Sequence, residues 1–112
     1  MTCNEIICGA LEPMGLPVAE DVYHGGEESY FVFSLIYARP AVQGDDEETE
    51  TVSEYYVSLF TRLDPGPLIR EAKARLRAAG VGVNSVNPAG YDDGTAERAR
   101  RVLDCFILNN DA

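Results

Sequence analysis

The sequence predicts an α+β fold: one small domain in which a mixed or antiparallel sheet of about four to five strands carries two helices on one face. Three stretches support this expectation. Within 52–61, Tyr55, Val57 and Leu59 alternate with Glu54, Tyr56 and Ser58, the two-residue period of a strand with one buried face. Asp64-Pro65 then opens a helix over 65–79: the Asp64 carboxylate suits an N-cap, and Pro65 suits the first helical position. Residues 30–38, YFVFSLIYA, are the most strand-like run in the chain.

In chain order, Thr2-Cys3-Asn4-Glu5 fits a capping box, with the Thr2 hydroxyl accepting from the Glu5 N–H and the Glu5 carboxylate reaching back. Ile6, Ile7, Ala10, Leu11 and Met14 recur at helical spacing and predict a helix over 3–12, with Pro17 ending any continuation. Residues 18–23 read as a short strand. His24-Gly25-Gly26-Glu27 reads as a turn whose paired glycines supply the positive φ of a hairpin.

In 30–38, Phe31, Phe33, Leu35 and Tyr37 are expected to line one face. Val32 and Ile36 leave the other face apolar too, a surface that a neighbouring subunit could cover. Residues 39–51 break the pattern with Pro40, Gly44 and the mutually repelling Asp45, Asp46, Glu47, Glu48 and Glu50, which predict a mobile loop between two strands.

On the helix over 65–79, Leu68, Ile69, Ala72, Leu76 and Ala79 fall within a stripe about 100° wide, enough to cover a sheet. Arg70, Lys73 and Arg77 sit opposite. Gly80 suits the left-handed residue that ends a helix. A strand near 81–86 follows, with turns at 87–90 and 92–94. The last element has two readings. With Thr95 as N-cap, Ala99, Val102, Leu103, Phe106 and Ile107 form an amphipathic helix, which periodicity favours; the same residues allow a strand near 99–108.

At 112 residues, the chain makes a single domain over 1–112, with a core that buries roughly 60–70% of the unfolded surface. No apolar run nears the roughly 20 residues of a membrane span, and the start, with Glu5 and no basic segment, makes a poor signal peptide. Cys3, Cys8 and Cys105 lack metal-type spacing and read as free thiols of a reducing compartment.

The formal charge is −10, unevenly spread. Residues 1–64 carry 13 acidic side chains against Arg39 and Arg62, whereas 65–112 carry six against seven basic ones. Such a balance argues against nucleic-acid binding through a basic patch. It fits solubility, or an acidic surface matched to a basic one on another copy or partner.

Chemistry-bearing motifs are sparse. His24 beside Gly25 and Gly26 has no nucleophile elbow to accompany it, so a turn is the better reading. No phosphate loop, EF-hand or HExxH pattern occurs, and Asp45-Asp46-Glu47-Glu48 lacks the alternating spacing of a built cation site. No catalytic, cofactor-binding or metal-ligating residue is expected.

The order of these signals resembles the small tail-terminator (tail-completion) proteins of long-tailed phages and prophages, which share a fold with the phage lambda tail terminator. In that family an LGIPVAY-like segment leads to a strand, and a Y-x-(I/V)-x-L-(Y/F)-T strand precedes the helix. The matching positions are Gly15 to Ala19 and Tyr56 to Thr61, while Glu97 and 101–108 take the place of the closing strand. The chain departs from the pattern in its GDDEE loop and in Arg98, Arg100 and Arg101 near the closing strand.

The resemblance implies a non-enzymatic assembly protein without cofactor. It would act in the host cytoplasm during assembly and then in the virion tail. Copies would form a ring, typically of six, on the head-proximal end of the tail tube. The ring would end tube polymerisation and offer a surface to the head–tail connector protein, so the implied partners are the chain itself, the tail tube protein and the connector. The resemblance also implies a strand for 99–108. In such a ring each subunit uses two different surfaces, and the acidic Asp45, Asp46, Glu47, Glu48 and Glu50 could meet Arg70, Lys73 and Arg77 across the joint. Two alternatives stand beside it: a phage neck or head-completion protein, and a small acidic DNA mimic that inhibits a host nucleic-acid enzyme.

Overall fold

The computed structural model describes residues 2–40, 51–91 and 99–109. Helix α1 (Cys3–Leu11) runs into a 3₁₀ turn at Glu12–Met14. It is followed by β1 (Val18–Glu20), β2 (Tyr30–Pro40), β3 (Thr51–Thr61), α2 (Pro65–Ala78), β4 (Gly82–Tyr91) and β5 (Ala99–Asn109). The five strands form one mixed sheet in the order β1-β2-β3-β5-β4, with β1 parallel to β2 and every other pair antiparallel.

The helix ends follow their local chemistry. The Glu5 N–H donates to Thr2 Oγ1 at 3.1 Å and the Thr2 N–H to Glu5 Oε1 at 2.8 Å, completing the capping box of α1. At α2 the Gly66 N–H donates to Asp64 Oδ1 at 3.1 Å. Its other end closes in a Schellman motif: Gly80 has φ of 93°, its N–H donates to the Arg77 carbonyl, and the Val81 N–H donates to the Leu76 carbonyl.

One face of the sheet builds the core. Phe31 and Phe33 on β2, Tyr55, Val57 and Leu59 on β3, and Leu103, Cys105 and Ile107 on β5 pack with Ile7 and Leu11 of α1 and Ala72 and Leu76 of α2. Leu68 and Ile69 are partly buried beside them, as the helical stripe predicted, whereas Ala79 is exposed at the helix end. Helix α1 lies toward β1, and α2 toward β4 and β5.

Several expectations are corrected. Helix α1 stops at Leu11 rather than 12, and β1 stops at Glu20 rather than 23 because Asp21 turns away with φ of 67°, a conformation its short polar side chain tolerates. The HGG segment is not a hairpin turn: β1 and β2 are parallel, and neither Gly25 nor Gly26 has positive φ. Gly25 instead answers to space, since a Cβ there would run into the Tyr23 ring. Residues 87–90 continue β4 as strand, with a register shift between Pro88 and Gly90 taking the place of the expected turn.

The C-terminal element is a strand, as the family resemblance implied and against the helical count. Paired on both sides, β5 buries Val102 and Leu103 on opposite faces, so its apolar residues do not alternate cleanly.

Candidate interaction surface

The sequence-expected cations sit together on α2. Arg70 and Arg77 are exposed and Lys73 half-buried, at spacings of about one helical turn. Arg75 on the same helix pairs with Glu71 at 2.8 Å, while Arg70, Lys73 and Arg77 have no ion pair among the described residues. Their proposed counterparts Asp45, Asp46, Glu47, Glu48 and Glu50 lie outside the described residues.

The more extensive surface is the sheet face away from the helices. An 11-residue strand spans about 36 Å, against about 21 Å for 14-residue α2, so α2 alone cannot cover the core face end to end. On the opposite face, Tyr30 stacks with Tyr23 (4.3 Å between ring centroids) and with Phe60 (5.0 Å), and the Arg100 guanidinium carbon lies 5.4 Å from the Phe60 centroid. Tyr30, Phe60 and Arg100 are register partners across β2, β3 and β5, so the row crosses three strands. Beside it lies a groove of about 310 Å³ whose lining includes Asp21, Tyr23, Val32 and Tyr56.

Farther along this face, Tyr56 is 48% and Leu108 54% exposed. Arg100 Nε and Asp104 Oδ1, both shut off from solvent, lack hydrogen-bond partners among the described residues. A bulge at Ile36 redirects the end of β2. Phe31, Phe33 and Leu35 pair with the core-facing residues of β3, but Tyr37 pairs with Glu54 on the opposite face and donates a 3.0 Å hydrogen bond to Glu54 Oε2. The expected Phe31–Phe33–Leu35–Tyr37 stripe is therefore broken after Leu35. Leu35, Ile36 and Tyr37 remain exposed where short β1 no longer flanks β2. The sequence signal for this face was the presence of Val32 and Ile36 on the nominally polar side of β2. The Tyr23–Tyr30–Phe60–Arg100 row had no such signal, because it depends on strand register.

Buried thiols and phenol are held neutral. Burial, with a smaller push from Asp104, raises the Cys105 pKa to about 12. Burial, followed by Cys3, raises the Tyr55 phenol to about 12, and Tyr55 donates to Asn4 Oδ1 at 3.0 Å. Cys8 is raised by burial and then by the negative charges of Glu12 and Glu20. The cysteines are free thiols. Among the described residues, no three His, Cys, Asp or Glu side chains converge as a metal site, and no helix is long and apolar enough to cross a membrane.

No protein-family model matches the chain, and no curated protein sequence matches it. Among solved structures it is similar to a chain from the virion of a native gene transfer agent particle, with a TM-score of 0.55 and 16% identity over 95% of this chain and 85% of that one. It is also similar to a chain in the PVC sheath/tube terminator of an extracellular contractile injection system in its extended state, with a TM-score of 0.47 and 8% identity over 99% of this chain and 58% of that one. The gene transfer agent chain and this one share a fold.

Proposed function

We propose that this chain is a non-enzymatic tail-assembly protein of a phage-like particle, a terminator whose copies close into a ring on the end of the tail tube. The ring, of six copies by analogy with the family it resembles, stops tube growth and presents a surface to the head–tail connector. The observation that carries this reading is the sheet face away from the helices, where Tyr56 and Leu108 stand half-exposed beside the partly buried Tyr23–Tyr30–Phe60 row. Apolar sheet surface of this kind supplies affinity for another protein, while charges set orientation. The shared fold with a gene transfer agent virion chain, and the likeness of Gly15 to Ala19 and Tyr56 to Thr61 to tail-terminator motifs, support a partner of the tail-protein class.

The test is to polymerise the cognate tail tube protein with and without this chain and measure tube lengths by electron microscopy. The reading expects shorter tubes carrying one extra ring of density at a single end. Unchanged lengths and bare ends, with the chain monomeric by sedimentation at every concentration, would refute it.

A further inference from the structure

The two lateral edges of the sheet are complementary in charge and in strand direction. At one edge stand α2 and β4. Helix α2 carries Arg70, Lys73 and Arg77, which have no ion pair among the described residues, and β4 has no charged residue. At the other edge, α1 and β1 lead into the connection to β2, where Glu12, Glu20, Asp21 and Glu27 are exposed and have no ion pair among the described residues. Glu12 and Glu20 lie close enough together for both to act on Cys8.

Backbone geometry agrees. Because β1 reaches only Phe33, β2 has no strand neighbour on that side from Ser34 onward among the described residues, and β4 has none among them on its outer side. Three successive antiparallel pairings make β2 and β4 run in opposite directions. Copies set side by side in one orientation would therefore bring β4 of one beside β2 of the next in the antiparallel sense. The exposed Leu35, Ile36 and Tyr37 lie along that open edge.

We propose that a second copy of this chain occupies each edge. The α2–β4 edge of one copy meets the β1–β2 edge of its neighbour, with Arg70, Lys73 and Arg77 opposite Glu12, Glu20, Asp21 and Glu27, and with β4 extending the neighbour's sheet along β2. This joint rests on the ring reading above and gives its ring a specific heterologous contact.

A charge swap tests it. One variant carries Lys73→Glu and Arg77→Glu, and a second carries Glu20→Lys and Glu27→Lys; far-UV circular dichroism checks that both fold. Assembly with tube subunits is followed by sedimentation at low salt. Each variant alone needs about tenfold more protein for half-assembly, a gap that closes as salt rises. An equimolar mixture of the two recovers assembly, because every joint is then again between opposite charges. Variants that assemble like the wild type, or a mixture that fails to recover, would overturn the joint while leaving the ring intact. Variants that still form rings but lose the tube subunits would assign the cations to the tube protein, also overturning the joint. A wild-type chain that never assembles would overturn the ring reading and the joint together.

Discussion

Phe106 lays its ring over the space that a side chain at Gly82 would fill. The two residues face each other across β4 and β5, and a Cβ built on Gly82 would collide with that ring. Gly82 has no positive φ to protect, so its constraint is steric. Gly82→Val should cost about 1–3 kcal/mol by overpacking. Adding Phe106→Leu should recover part of the loss, as read from the thermal midpoint by circular dichroism. Equal losses in the single and double variants would show that the ring is not what excludes the side chain.

Thr61 is fully buried, and its hydroxyl lies 2.7 Å from Ser29 Oγ while accepting the Leu63 N–H at 3.0 Å. Thr61→Val keeps the shape but strands both partners, so it should destabilise by about 1–3 kcal/mol. Ser29→Ala should cost less, because Thr61 keeps the Leu63 N–H. A double-mutant cycle in urea should give a coupling above about 0.5 kcal/mol; additive losses would remove the pair from the account.

Gly80 ends α2 with φ of 93° and has nothing within 4 Å of where a Cβ would stand. Gly80→Ala therefore isolates backbone strain from packing and should cost about 1–2 kcal/mol. Denaturant midpoints should show the loss, and an unchanged midpoint would mean that the helix end relaxes out of the left-handed region.

Cys105 titrates near its ordinary 9.0 when unfolded but near 12 when folded. The folded chain thus keeps a proton that the unfolded chain gives up above pH 9. The stability conferred by the neutral thiol is complete below pH 9 and declines by at most about 1.4 kcal/mol per pH unit up to about 12. Tyr55, raised from 10.0 to about 12, steepens the decline above pH 10 in the same direction. Urea unfolding of the wild type and Cys105→Ala between pH 8 and 11 should give curves that converge as pH rises, and parallel curves would contradict the assignment.

Most of the scaffold was legible because it rests on short-range chemistry. The Thr2–Glu5 capping box, the Asp64 cap and the Gly80 terminus each lie within a few residues and formed as their sequences required. Legibility failed where one strand's state depends on another. Residues 99–109 carry a helical count, yet pairing with β3 and β4 on both sides makes them a strand buried on two faces. Tyr37 follows Leu35 in the alternation, yet the bulge at Ile36 places it opposite Glu54. Of the candidate site, Arg70, Lys73 and Arg77 could be read from helical spacing. Tyr23, Tyr30, Phe60 and Arg100 could not, because they come from four separate segments joined only by register and a ring stack.

By itself the amino-acid order determined which segments are amphipathic, where the two helices start, to within a residue where they stop, and how charge divides between the halves of the chain. These depend on backbone capping and on side-chain periodicity over a few residues. Only the tertiary structure decided that β1 runs parallel to β2, that both helices pack on one sheet face, and that Arg70, Lys73 and Arg77 stand toward one edge while Glu12, Glu20, Asp21 and Glu27 stand toward the other. Those outcomes come from strand order and register, which are set by pairing between residues distant in the chain, where no local preference reaches.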